Sequence, residues 1–374
     1  GTLGFPTTGW STGCLVADVD GDGHVDLYDV NYLEGRNLFT TICETQGVKM
    51  ACHPHEFSAA RDRWWRGDGA GGFADATEDL GLDRKHGGKG LGIVAGGFQT
   101  AGALSLFVAN DSVPNFFFSR TSGSEPDRPL RQHAMRSGVA VDRDGRSQAC
   151  MGVAAADVDG DGRLDLFVTN YFDEANALYR QVGDLVFTDD TARAGLREPG
   201  WRMLGFGTQF LDADLDGAPD LVVANGHVDD LRPLNQPYRM RPQFYRNTGS
   251  GQFVELGAAE VGPYFQREML GRGLARGDLD RDGKDDVVVT HLQEPVAVLL
   301  NRTVSVGSAP MSGLTVRLVA TGSARDAIGA RVIVRSGERI RSHFLTAGDG
   351  YMASNQRQLV IGTGGRERVD ELTV

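Results

Sequence analysis

The chain has 374 residues, a formal charge of −12 and 51 glycines. This length accommodates a large repeat domain plus a small one, and an acidic balance with no basic stripe argues against nucleic acid as a partner. No apolar run approaches the about 18 residues that a membrane span needs, and no long run of like charge marks an acidic tail.

From the N-terminus, the first distinctive element is a nine-residue acidic loop, Asp18 to Asp26 (DVDGDGHVD), that runs straight into an apolar strand. The pattern Asp-x-Asp-x-Asp-Gly-x-x-Asp returns at Asp157 to Asp165 (DVDGDGRLD), Asp212 to Asp220 (DADLDGAPD) and Asp278 to Asp286 (DLDRDGKDD). Positions 1, 3, 5 and 9 carry Asp18, Asp20, Asp22 and Asp26 in the first copy and Asp157, Asp159, Asp161 and Asp165 in the second. They carry Asp212, Asp214, Asp216 and Asp220 in the third, and Asp278, Asp280, Asp282 and Asp286 in the fourth. Carboxylates this close repel one another unless a cation neutralises them, and calcium, a hard ion that takes about six to eight oxygens, fits best. Glycine at position 6 allows the tight bend, and the backbone carbonyl at position 7 (His24, Arg163, Ala218, Lys284) can add a ligand. The helical calcium hand needs a Glu at position 12 and flanking helices, whereas here an Asp at position 9 leads into strand residues. About four Ca²⁺ are expected, which would bring the charge from −12 to −4.

After the first strand comes a polar insertion holding Cys43 and Cys52, whose spacing suits a local disulfide. Cys52-His53-Pro54-His55 looks like a fragment of a metal tetrad. A disulfide at Cys52 would leave only two histidines separated by one proline, so a metal-free loop is the favoured reading. Cys14 and Cys150 each lie just before an acidic loop, and their pairing stays open. A disulfide together with calcium loops favours a secreted, periplasmic or cell-surface protein.

The repeat has a fixed register. Thirteen residues after each first aspartate a polar residue closes the strand: Asn31, Asn170, Asn225 and His291. A fifth unit lies in GGFQTAGALSLFVAN, where Gly97 replaces the first aspartate, Gln99, Ala101 and Ser105 replace the others, and Asn110 closes the strand. A hairpin follows in RWWRGDGAGGFADAT (63 to 77), ALYRQVGDLVFTDDT (177 to 191) and QFYRNTGSGQFVEL (243 to 256). The units start 79, 60, 55 and 66 residues apart, a length that suits a four-stranded blade. The strand ends Asn31, Asn110, Asn170, Asn225 and His291, with His227, should gather near the axis as a candidate pocket, although the favoured reading is that each merely satisfies its own turn. Two Arg-Gly-Asp triplets, at 66 to 68 and 276 to 278, read as chance.

The loops and hairpins resemble the integrin-like FG-GAP/VCBS repeats of calcium-binding β-propellers. The tail from 323 to 374, with SQACMGVAAADVDGDGRLDLFVTNYFDEANALYR (147 to 180) and VVANGHV (222 to 228), is similar to the ASPIC/UnbV, cartilage acidic protein-like family. Departures are the lost ligands of the second unit, His291 in place of Asn, and the CHPH run at 52 to 55. The resemblance implies an all-β fold: a calcium-binding β-propeller over 1–305 with five visible blade units, followed by a small C-terminal β domain over 311–374. Seven blades are common among integrin-like relatives, so unrecognised or preceding blades would complete the ring. It also implies structural ions that staple blades, in an exported module that binds a protein or glycan partner. The alternatives are an enzyme or accessory protein of small-molecule biosynthesis with a site in the axial pocket, and a subunit of a larger extracellular or envelope assembly. No G-x-S-x-G elbow and no phosphate-binding glycine loop supports catalysis.

Overall fold

The computed structural model describes residues 9–81, 87–100, 103–120, 130–304, 312–321 and 324–374. Among the described residues strands dominate, with only single-turn helices between them. Five antiparallel sheets follow one another along the chain in up-and-down order. The first contains Ser11–Ala17, Asp26–Asn31, Arg63–Gly67 and Phe73–Asp75. The second contains Gly90–Gly96, Ser105–Asn110, Phe116–Ser119 and Arg131–Gln132, and the third Val153–Ala156, Asp165–Val168, Ala177–Gly183 and Val186–Asp189. The fourth contains Gly205–Leu211, Asp220–Asn225, Gln243–Asn247 and Phe253–Leu256. In the fifth, Gly271–Gly277, Asp286–His291 and Ala297–Leu299 are paired. Each acidic loop joins the first and second strands of its sheet.

The first strand of each sheet packs beside the first strand of the next, and glycines explain how closely. A Cβ on Gly92 would lie 2.2 Å from the Met151 carbonyl, one on Gly152 2.0 Å from that of Phe206, and one on Gly207 2.5 Å from that of Arg272. These positions let backbones meet where the sheets converge, while larger side chains fill the widening space outward. Tyr28, Trp64, Leu106 and Phe118 form one layer between the first two sheets, and Phe117, Leu166, Tyr179 and Phe187 form the next. Phe167, Phe210, Leu221 and Tyr245 lie between the third and fourth sheets, and Val222, Phe244, Leu274 and Val289 between the fourth and fifth. The result is an all-β, propeller-like stack whose cores lie between sheets.

The C-terminal part forms a two-stranded sheet, Gly313–Val316 with Leu359–Gly362, and a three-stranded one built on Arg331–Ser336. Between them the chain leaves its own sheets and runs along the axis of the stack. Ala347 and Gly348 pair with Ala95 and Val94 in the second sheet. Gly350 exchanges backbone bonds with Val153 in the third. Asn355 Nδ2 donates to Gln209 Oε1 at 2.8 Å in the fourth sheet, and its Oδ1 accepts the amide of Arg276 in the fifth at 3.0 Å. Ala347 also belongs to the core beside the first sheet. One stretch, 345–356, thus touches all five sheets, and this explains why Gly90–Gly96 is buried along its whole length.

Removing the Asn355 side chain strands the Gln209 Oε1 acceptor and the Arg276 N–H, at about 1–3 kcal/mol for each unsatisfied group. Asn355→Ala should therefore lower the urea midpoint of the whole chain in a single transition. A separate early transition confined to the C-terminal strands would show that the axial stretch carries no shared stability.

Candidate metal centres and the axial mouth

The four acidic loops share a backbone course because the aspartates at positions 5 and 9 bond the same amides in each, and position 1 bonds its own loop. At position 1, Asp18 accepts from Gly21 and Gly23 at 2.8 and 3.0 Å, and Asp157 from Gly160 and Gly162 at 2.8 and 2.9 Å. At position 5, Asp22, Asp161, Asp216 and Asp282 accept the amide of position 7 (His24, Arg163, Ala218, Lys284) at 2.8 to 3.1 Å. The position 6 glycines Gly23, Gly162, Gly217 and Gly283 have φ between 85° and 92°. Position 4 is also left-handed, and there two loops place a larger residue, Leu215 (φ 54°) and Arg281 (φ 64°). The sequence motif leaves position 4 free and gives no sign of this demand.

Position 9 is the most buried part of the motif: Asp26 and Asp165 are 0% exposed, Asp220 2% and Asp286 1%. One oxygen of each accepts the amide of the loop's second residue: Val19, Val158, Ala213 and Leu279 at 2.8 to 3.3 Å. The other accepts an amide from the sheet's third strand or its end: Gly67, Gln181, Asn247 and Asn301 at 2.8 to 2.9 Å. Position 9 therefore ties the loop to the hairpin.

Asp18, Asp20 and Asp22 each present a carboxylate oxygen within 4.8 Å of the others, as do Asp157, Asp159 and Asp165; Asp212, Asp214 and Asp216; and Asp278, Asp280 and Asp282. Such oxygen-only sets suit a hard divalent cation. The Asp212 set adds a second sign, since Asp212 is 6% exposed and its Oδ1 is buried without a hydrogen-bond partner. Position 3 is paired with a cation in three loops: Asp20 with Arg66 at 2.7 Å, Asp159 with Arg180 at 3.1 Å and Asp280 with Arg302 at 2.7 Å. Asp161 pairs with Arg163, and Asp282 with Lys284 at 3.0 Å. Burial pushes the carboxyls of Asp26 and Asp157 up to about 6 and those of Asp212 and Asp220 up to about 8.

At the opposite strand ends, the predicted polar residues turn into their own connections. Asn110 donates to Pro114 O at 2.8 Å, Asn170 to Ala175 O at 2.6 Å and Asn225 to Arg241 O at 3.0 Å. Asn31 donates to Asp29 O at 3.2 Å. His291 occupies the same kind of turn, its Nδ1 2.8 Å from Pro295 O and its Nε2 2.9 Å from the Tyr264 hydroxyl. His227 Nδ1 accepts the Asp229 amide at 3.1 Å, which leaves Nε2 to carry the proton toward Tyr171 Oη at 3.2 Å, and burial lowers its basicity.

The residues that meet at the mouth are instead the next ones along. Tyr32, Asp111 and Tyr171 directly follow Asn31, Asn110 and Asn170. Tyr32 Oη donates to Asp111 Oδ2 at 2.5 Å, and the Arg272 guanidinium lies 4.0 Å over Phe206. Tyr351, from the axial stretch, packs on the same Phe206 ring at 4.9 Å. Motif spacing singled out the strand-end residue, and the useful signal was the aromatic or acidic residue after it.

The insertion covers one side of this mouth. Cys43 and Cys52 are disulfide-bonded, whereas Cys14 is an exposed and Cys150 a buried free thiol. The amide of Ala51 reaches Asp229 Oδ2 at 3.1 Å, linking the insertion to the connection between the second and third strands of the fourth sheet. His53 and His55 stack at 4.6 Å, and the His53 Nδ1 accepts the His55 amide. In the Arg-Gly-Asp triplets, Arg66 is paired with Asp20 and Arg276 with Asp285 at 2.9 Å, while Asp68 caps its own turn through Ala70 and Gly72.

Carboxyls raised by burial bind protons more tightly in the native than in the unfolded chain. With chelator present, their contribution is complete at low pH and is lost as pH rises through about 6 to 8. A cation bound at these loops would take the place of those protons, so the gap in melting temperature between calcium and chelator should widen from pH 5 to pH 8. A gap that narrows over this range would contradict the burial of these carboxylates.

Residues 157–223 and 212–289 match the family described as FG-GAP-like repeat, and residues 320–374 match ASPIC and UnbV. The chain is 25% identical over 368 residues to cartilage acidic protein 1 of Homo sapiens, covering 95% of this chain and 48% of the relative. It is 25% identical over 371 residues to cartilage acidic protein 1 of Xenopus tropicalis, covering 96% and 50%. The chain thus spans about half the length of these relatives. Among solved structures, the BP39L lectin from Burkholderia pseudomallei aligns at 13% identity over 89% of this chain and 81% of that one, with a TM-score of 0.41. A rhamnogalacturonan lyase aligns at 13% identity over 94% and 62%, with a TM-score of 0.37. The chain belongs to the proteins that join FG-GAP-like repeats to a C-terminal ASPIC and UnbV domain.

Proposed function

We propose that this protein is a calcium-stapled β-propeller that binds a protein or glycan partner on its strand-end face and works outside the cytoplasm. The observation that carries the reading is the fourfold convergence of oxygen ligands, one set of which includes Asp212, whose Oδ1 is buried and unpartnered. Asp18, Asp20 and Asp22 and their counterparts would hold the ions, with Asp165 joining Asp157 and Asp159 in the second loop, and Asp26, Asp165, Asp220 and Asp286 fixing each loop to its sheet. Calcium supplies charge neutralisation there and no chemistry of turnover. An extracellular setting suits the Cys43–Cys52 disulfide and the millimolar calcium that such modules meet. The mouth supports partner binding because Tyr32, Tyr171, Tyr351 and Arg272, residue types that dominate recognition surfaces, meet there around Asp111.

Elemental analysis of protein purified without chelator, followed by calcium titration, tests the reading. About four calcium ions per chain are expected. Each site filled at 100 times its dissociation constant contributes about 2.7 kcal/mol, so chelation should lower the melting temperature markedly. Metal-free protein that melts at the same temperature with and without calcium would remove the structural role.

A further inference from the structure

One of the four loops differs from the rest. In the Asp18, Asp157 and Asp278 loops both oxygens of position 1 accept amides of their own loop. In the Asp212 loop, Oδ2 is shared between Gly217 N at 3.0 Å and Gly362 N, from the C-terminal domain, at 2.9 Å. Oδ1 has no partner, and Asp212 is 6% exposed. The contact continues on both sides. Gly364 N donates to Leu215 O at 3.0 Å, and Arg339 reaches Asp216 O at 3.5 Å. Leu215, 5% exposed, lies against Gly313, where a Cβ would be 3.4 Å from its methyls. The fit leaves no slack: a Cβ on Gly362 would stand 2.3 Å from Asp212 Oδ2. The Asp212 loop also lacks, among the described residues, the arginine on or just after the third strand that the other three loops place on position 3.

We infer that the Asp212 loop is a calcium-operated latch for the C-terminal domain: the ion bound by Asp212, Asp214 and Asp216 holds the carboxylate in the orientation that accepts the Gly362 amide. The inference rests on the calcium reading above and adds to it a specific consequence for one loop. An ion on Oδ1 fixes the plane of the carboxylate and leaves Oδ2 as a charged acceptor, the stronger kind of hydrogen bond. Without the ion, three carboxylates within 4.8 Å repel, and Asp212 relieves the repulsion by swinging away or binding a proton. Either change weakens the bond to Gly362. The axial stretch stays anchored through Gly348, Gly350 and Asn355, so the release is local to Gly313–Val316 and Leu359–Gly362.

Amide exchange on the full chain, read at Gly362 and Gly364, tests the latch. Chelation should speed both amides by about tenfold or more. In saturating calcium, Asp214→Asn with Asp216→Asn should do the same, while Asp20→Asn with Asp22→Asn in the first loop should leave both at the wild-type rate. Calcium bound at about four per chain with Gly362 and Gly364 unmoved by chelation would overturn the latch and spare the calcium reading. Equal acceleration in the two double variants would also overturn it. No bound calcium at all would overturn both. Should the Asp214/Asp216 variant fail to fold, the chelation arm on the unaltered chain decides alone.

Discussion

A buried carboxylate with both oxygens committed is the constraint from which the rest of the structure follows. Asp26, Asp165, Asp220 and Asp286 each bond an amide at the start of their loop and an amide at the third strand of their sheet. Placing a charge in the interior costs several kcal/mol unless it is well compensated. Two backbone amides offset part of that cost, and a nearby divalent cation would offset more. Because the same carboxylate fixes loop and hairpin together, the other positions have little freedom left, and carboxylate oxygens converge from positions 1, 3 and 5 in three loops and from positions 1, 3 and 9 in the Asp157 loop. The staple and the ligand set are one device.

The second constraint is crowding at the axis. Glycines at 92, 152 and 207 let the first strands approach until a single methyl would collide with the next carbonyl. Strands that close need no large side chains between them, and the narrow central space is filled by backbone, the stretch 345–356. That stretch links the acidic-loop end to the mouth: Gln356 Oε1 accepts the Asp278 amide at 2.8 Å, and a few residues away Tyr351 packs on Phe206 among the mouth residues. The C-terminal part is therefore bound into the centre of the molecule as well as to its rim.

Much of this was legible in the sequence because the repeat carries its own register. The acidic loop, the strand that follows it and the hairpin appear where the spacing put them, and so does the Cys43–Cys52 bond. What the sequence concealed was of two kinds. The left-handed position 4 is occupied by Leu215 and Arg281 as well as by glycine, so no residue type announces it. The axial course of 345–356 is carried by Gly348, Gly350 and Asn355, small or polar residues whose partners in the five sheets lie 79 residues or more away, as for Asn355 and Arg276. Local pattern cannot report a contact of that range. The strand-end asparagines show the converse case. They were visible by register, and their side chains turn to Asp29, Pro114, Ala175 and Arg241.

The second unit shows what the loops cost the rest of the molecule. It has the strands of its neighbours without their carboxylates, and its Ser105, at position 9, is fully buried with a hydroxyl that finds no partner. Gly97 stands where the others have the first aspartate, and a Cβ there would lie 2.7 Å from the Gly329 carbonyl. An aspartate at 97 would drive its side chain into the turn that the C-terminal domain lays over this unit. With no carboxylates to neutralise, Leu104 and Ile328 instead pack together on the core of the first two sheets. At the second unit Gly97 thus leaves room for the C-terminal turn at the position where the other units place their first aspartate.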